Sequence, residues 1–294
     1  MAEQIAGTTP APEFPLPPRR IDVHNHLWGD PDGSKLIEIM DRNSVDVTLL
    51  MGVPAGLFGA MNTDVPNEQT RKVFGKYPGR FVAGVYVDPR DADAIDTVGH
   101  YCSEGFRMVK LFPNLGYFPD DDAFIPFWDV VAELGMGVLS HCGWLGDCGP
   151  RMSQERWAAY YSHPGRFEKV IRTHPETPFI MAHMGGIAGY LEAVMLTTRT
   201  PNTYVDCTPG QGMLVLEKGG LMPGAVPAGK MLYGSDSYDV DGLLQRYHKI
   251  FIDQGYGASL EKVFYSNARG IFEKIGAMPA APKVETATRP GAGV

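Results

Sequence analysis

The chain has 294 residues and a formal net charge of −8, with 44% hydrophobic and 20% charged residues. That length suits one large α/β barrel or two average domains, and the composition is that of a globular core rather than a disordered polymer. No Lys/Arg run is present, which argues against nucleic acid and anionic membrane as partners. The longest apolar stretches are strand-sized, too short to span a bilayer.

Residues 1–18 are rich in Pro, Ala and Thr, and residues 278–294 are similar. Both are expected to be tails without enough apolar surface to order themselves, although either can drape over a neighbour. The first of them lacks a basic stretch followed by an apolar one, so no secretory signal is expected. Cys102, Cys142, Cys148 and Cys207 form no CxxC pair, so free thiols in a reducing cytoplasm are expected. No tail-like linker interrupts residues 19–277, which read as a single domain.

Within that domain β-type and helix-type runs alternate. Strands are expected at Ile21–Leu27, Val45–Gly52, Phe81–Asp88, Met108–Phe112, Gly137–Cys142, Pro178–His183, Thr203–Cys207 and Met231–Ser235. Helices are expected between them, among others at Ser34–Arg42, Ala92–Glu104, Ala123–Leu134, Arg166–His174, Leu243–Asp253 and Leu260–Ile275, the last with Ser259 as N-cap. Eight strands alternating with helices over about 250 residues point to an α/β fold, a single (β/α)8 TIM barrel. A doubly wound open sheet would place a Gly-rich fingerprint after its first strand, where this chain has HNHLWGD.

In such a barrel the reactive groups gather at the C-terminal ends of the strands. Asp22-Val23-His24-Asn25-His26 closes the first strand, and alternation puts His24 and His26 on one face, where they are either polar strand residues or two ligands of one metal ion. Lys110, His141, His183 and Asp236 fall at the ends of strands four, five, six and eight, each after an apolar run. Gathering such groups unpaired in a barrel mouth is costly, and a central cation offsets that cost. Asp22, on the same face, either orients an imidazole or pairs with Arg20 or Arg107. Cys142 alternates away from His141 and reads as core, as does Cys207. His100, His163, His174 and His248 lie away from the strand ends and read as surface or packing residues.

The set D-x-H-x-H at 22–26, VKLFPN at 109–114, HCGW at 141–144, AHMGG at 182–186, GSDS at 234–237 and SNARGIF at 266–272 resembles the amidohydrolase-2 branch of the amidohydrolase superfamily of metal-dependent barrels. The likeness covers roughly residues 20–276. It implies hydrolases, lactonases and non-oxidative decarboxylases of small carboxylated compounds. It also implies that His24, His26, His141 and Asp236 hold a divalent ion, Zn²⁺ or alternatively Mn²⁺, which lowers the pKa of bound water toward about 7. By the same resemblance Asp236 moves the proton, and His183 binds a second ion or polarises a substrate oxygen. Lys110 either becomes a carboxylated bridge between two ions or pairs with a substrate carboxylate.

Substrate contacts are expected from Trp28 and from the loop after strand five, where Trp144 and Arg151 offer an aromatic wall and a guanidinium. The expected activity is hydrolysis of an amide, ester or lactone bond in a small, carboxylated substrate, with decarboxylation as the alternative. Short loops between strands one and four favour the former. Barrels of this kind often pair, and the chain leaves its own oligomeric state open.

Overall fold

The protein was analysed as a computed structural model, which describes residues 13–54, 65–145, 157–218 and 225–279. Eight strands follow one another around the sheet in sequence order: β1 Arg20–Asn25, β2 Val45–Met51, β3 Phe81–Tyr86, β4 Met108–Leu111, β5 Gly137–Ser140, β6 Phe179–Met181, β7 Thr203–Asp206 and β8 Met231–Leu232. All seven neighbouring pairs are parallel. The ring closes where Val23 N–H donates to Tyr233 O (3.0 Å) and Asp236 N–H donates to His24 O (2.7 Å). This is a (β/α)8 TIM barrel, with α1 Ser34–Arg42, α2 Pro66–Lys76, α3 Ala94–Ser103, α4 Ile125–Glu133, α5 Glu168–Thr173, α6 Gly186–Arg199, α7 Gln211–Lys218, α8 Val240–Asp253 and α9 Asn267–Lys274 among the described residues.

The strands are short and almost wholly buried because each is covered on both faces, which is why they read as near-continuous apolar runs. Val82, Met108, Leu139, Ile180 and Leu232 belong to one buried cluster that fills the barrel. Residues of opposite parity, such as Ala83, Val109, Val138, Met181 and Val205, pack outward with the helices. Cys142 and Cys207 lie fully buried in this outer layer, and burial pushes both thiols up, the state of inert core residues. Ahead of β1, Phe14 and Leu16 pack on the same layer. The fit is close: a Cβ on Gly257 would come within 2.6 Å of the Phe14 ring. No helix among the described residues is long and apolar enough to cross a membrane.

Several expected strands end early, and the reason bears on the site. Beyond Leu232 the chain leaves the regular ladder, with Tyr233 N–H donating to Val263 O and Ser235 N–H to the Asp22 carboxylate (2.9 Å). The helix expected over Leu260–Ile275 is interrupted by a wide π-turn at Lys262–Ser266. There the Val263 carbonyl accepts from Tyr233 N–H (2.9 Å), anchoring the final helical stretch to β8. Ser259 lies inside a 3-10 turn, Gly257–Ser259, and is not a helix cap.

Candidate metal centre

Strand parity delivers two of the site residues without help. Lys110 is two residues beyond Met108 and His141 two beyond Leu139, so both point into the barrel. Ile21 and Val23 of β1 belong to the barrel-filling cluster, whereas His24 and His26, of the opposite parity to Val23, enter the mouth at the register shift between Asp22 and Asn25. His183 does not follow, because it is three residues beyond Ile180 and alternation would turn it outward. A left-handed pair, His183 (φ 56°) and Met184 (φ 57°), reverses the chain there. Asp236 is also left-handed (φ 43°). Such backbone costs on the order of 1–3 kcal/mol per residue, and it persists where surrounding contacts enforce it.

The His141 and His183 strand ends are brought together by Gly143 (φ 85°) and Gly186 (φ 73°), whose backbones touch: a Cβ on Gly186 would fall 2.4 Å from Gly143 Cα. Gly186→Ala is therefore expected to cost roughly 2–4 kcal/mol in urea unfolding, through clash and left-handed strain together. Gly255→Ala has a comparable φ of 82° and open space around it, so it is expected to cost only about 1 kcal/mol. Equal costs at the two positions would show that the close approach is unimportant.

At the centre His26 Nε2 lies 3.6 Å and His24 Nε2 4.0 Å from Asp236 Oδ1. Ligand atoms of these three side chains all fall within 4.8 Å of one another. Asp236 Oδ1 is buried and has no hydrogen-bond partner. A buried carboxylate oxygen left unpaired beside two imidazoles is energetically unfavourable, and a cation between them removes the penalty. Two imidazoles and a carboxylate form a donor set suited to zinc, so the residues fit the metal that the sequence implies.

The other groups surround this trio. Lys110 Nζ is 3.1 Å from His24 Nε2 and 4.7 Å from the centre of the Phe112 ring. His141 Nδ1 and His183 Nε2 lie 3.1 Å apart, and the His141 ring stacks on Phe112 with centroids 5.5 Å apart. The two clusters adjoin, since the His24 and His183 ring centroids are 5.4 Å apart.

Burial dominates the electrostatics. It holds His24, His26 and His141 well below the ordinary imidazole value, with neighbouring positive groups adding to the shift, and lowers His183 to about 4. It raises the Asp236 carboxyl, against the pull of Lys110, and lowers the Lys110 amine, against the pull of Asp236 and Asp206.

Trp28 packs edge-on against His26 (5.7 Å between centroids) and joins Phe112, Tyr86, Leu145 and Trp157 in an apolar cluster around Val53. Trp144 is not among these residues and is 67% exposed. Its backbone is held by Gln211, which accepts from Trp144 N–H (2.9 Å) and donates to Trp144 O (2.6 Å). Arg151 lies outside the described residues. Asp22 takes neither role considered for it. It accepts from His24 N–H (3.0 Å) and from the amide and hydroxyl of Ser235, stitching β1 to β8, while Arg20 and Arg107 donate to backbone carbonyls.

The residue that sequence reasoning missed is Asp206. It ends β7 after an apolar run, the same signal that marks the other site residues. It is fully buried and accepts from His24 Nδ1 (2.9 Å), from His183 N–H (2.8 Å) and from the Thr208 hydroxyl (2.6 Å). His163, His174 and His248 take no part in the site and instead meet Glu192, Asp129 and the Phe14 carbonyl.

No curated protein matches the chain. Solved structures share the fold at low identity. A probable 2-pyrone-4,6-dicarboxylic acid hydrolase from Acinetobacter baumannii is 14% identical with a TM-score of 0.60, over 88% of this chain and 99% of that one. The 5-carboxyvanillate decarboxylase from Sphingomonas paucimobilis is also 14% identical, with a TM-score of 0.57 over 87% and 99%. An amidohydrolase from Burkholderia multivorans with bound zinc is 12% identical, with a TM-score of 0.57 over 87% and 99%. The family model described as Amidohydrolase (Amidohydro_2) matches residues 21–274. Since that match runs from the strand carrying the two histidines to the last helix, the chain belongs to the amidohydrolase family.

Proposed function

We propose that the protein is a metal-dependent hydrolase that cleaves an amide, ester or lactone-type bond in a small carboxylated molecule. The observation that carries this reading is the unpartnered Asp236 Oδ1, buried within 4.0 Å of two imidazole nitrogens. His24, His26 and Asp236 would hold the ion, with His141 next in reach. A divalent cation there, zinc by its ligands, supplies Lewis acidity, which lowers the pKa of a coordinated water and polarises a substrate carbonyl.

The protein's own groups supply the remaining chemistry. Asp236, beside the ion and the attacking water, would take a proton from that water and return it to the leaving oxygen or nitrogen. Lys110 is a buried donor at the edge of the trio and is suited to hold a substrate carboxylate. Trp28, Phe112 and Trp157 form an apolar wall that excludes bulk water and packs against the substrate body. The expected result for Lys110→Met is a KM raised about 10–100-fold with metal content unchanged. Loss of metal in that variant would instead make Lys110 part of the ligand set.

Decarboxylation is the second reading, because a decarboxylase and a hydrolase both share this fold. A panel of lactones, esters, amides and aromatic acids, turned over in ¹⁸O-labelled or deuterated water, separates the two. Hydrolysis places one ¹⁸O in the product carboxylate. Decarboxylation releases CO₂ and places solvent deuterium on the vacated carbon, an outcome that would overturn the hydrolase reading.

A further inference from the structure

Each imidazole of the mouth meets different partners on its two ring nitrogens, and those partners decide which nitrogen carries the proton. An imidazole that ligates a metal is neutral, with one N–H and one lone pair, and the geometry around each ring fixes which nitrogen is which. His26 Nδ1 lies 2.9 Å from the Met51 carbonyl, which can only accept, so the proton is on Nδ1 and Nε2 is bare. His24 Nδ1 lies 2.9 Å from Asp206 Oδ2, with the same consequence. Lys110 Nζ stands 3.1 Å from His24 Nε2, a distance at which it can donate to the bare nitrogen.

The other two histidines are set at one remove. Thr208 Oγ1 is 2.6 Å from Asp206 Oδ1 and 2.6 Å from His183 Nδ1. Its single hydrogen goes to the carboxylate, since the reverse would set two lone-pair oxygens 2.6 Å apart. Thr208 therefore accepts from His183 Nδ1–H. That leaves a lone pair on His183 Nε2, 3.1 Å from His141 Nδ1, which must donate. His141 is left with a lone pair on Nε2, facing the Trp144 carbonyl at 3.3 Å. Two acceptors face each other there, an arrangement that a cation would relieve.

We infer that Asp206 is the positioning residue of the metal centre. Directly at His24, and through Thr208 at His183 and His141, it imposes the Nδ1–H tautomer and leaves Nε2 of His24 and His141 free as ligand atoms. This rests on the proposed metal site in the barrel mouth. The same carboxylate accepts His183 N–H (2.8 Å) and Thr208 N–H (3.2 Å), so it also fastens the left-handed turn that aims His183 inward. One consequence concerns His183. With Nδ1–H given to Thr208 and Nε2 accepting from His141, its neutral ring has no N–H to offer a substrate oxygen.

The test uses metal-free protein labelled with ¹⁵N in its histidines, with long-range ¹H–¹⁵N spectra reporting the tautomers, and zinc affinity measured by chelator competition. The wild type is expected to show Nδ1–H on all four imidazoles of the mouth. In Asp206→Asn the side-chain amide can donate to His24 Nδ1, moving its proton to Nε2, and zinc binding is expected to weaken about 10–100-fold. Thr208→Val breaks only the relay, so His183 and His141 signals should change while His24 stays as it was, and Thr208→Ser should restore the wild-type spectrum. That pair of variants carries the test if Asp206→Asn fails to fold. Nε2–H on His24 or His183 in the wild type, or undiminished zinc affinity in Asp206→Asn and Thr208→Val, would overturn the inference. A wild type that binds no zinc would sink the metal reading instead, while its tautomers would still decide the relay.

Discussion

Asp236→Asn is expected to lower turnover about 1,000-fold or more while leaving the metal-free protein as stable as the wild type or slightly more so. Catalysis is lost because an amide oxygen cannot take up and return a proton, and general acid–base help of this kind is worth about 10²–10⁴. Weakened metal binding at the same oxygen adds to the loss. Stability is expected to hold for two reasons. Asparagine tolerates the left-handed backbone at this position (φ 43°) better than most residues. It also removes a buried carboxylate whose Oδ1 has no partner in the metal-free fold. Lys110 keeps Asp206 as a favourable neighbour and, with its amine already lowered by burial, can shed its proton. Turnover on the substrate found by the panel, together with thermal melts of chelated protein, checks both halves. A variant that keeps its turnover, or one that melts far below the wild type, would contradict the role assigned to Asp236.

The second large effect is acid destabilisation of the metal-free protein. His24, His26, His141 and His183 all have lowered folded-state pKa values, with burial the first cause. A lowered basic group contributes stability that is present above its unfolded value, near 6.5, and is lost as the pH falls below it, because the unfolded chain takes up protons that the fold refuses. Asp22, raised to about 6 by burial, and Asp236, also raised, work in the opposite direction, since the fold binds their protons more readily than the unfolded chain does. Between pH 6 and 5, four protons favour unfolding and two oppose it. The net of about two corresponds to roughly 3 kcal/mol per pH unit. In melting temperature that is a fall of about 5 °C or more per unit. Saturating zinc should flatten the upper part of this slope, because a ligated imidazole resists protonation in the fold. Melts of chelated protein from pH 7 to 5 that show no slope would mean that the mouth is more hydrated than its burial implies.

What the amino-acid sequence disclosed follows from how each feature is encoded. The barrel was legible because strands buried on both faces must be continuous apolar runs, and eight of them recur between helices. Lys110 and His141 were legible because period-two alternation from Met108 and Leu139 carries them to the lumen. His183 was placed at the right strand end, but the left-handed turn that aims it inward was hidden, since nothing local marks a non-glycine residue for positive φ. Asp206 carried the same signal as its neighbours, a charge after an apolar run, yet its importance lies in partners 182 and 23 positions away, at His24 and His183, which only the closed ring brings together. The aromatic wall was legible in part. Trp144 follows His141 closely in sequence, but Gln211 fixes its backbone while its ring stays exposed, and Trp157 joins Trp28 at the mouth instead.

The most direct test of a metal-binding mouth is titration of chelated protein with zinc, read by elemental mass spectrometry after removal of free ion. The account predicts about one tightly held equivalent per chain in the wild type and its loss in His26→Ala, with the fold intact by circular dichroism. A second tight equivalent would bring Lys110 into the ligand set. A folded wild type that retains no zinc or manganese at any loading would contradict the account at its centre.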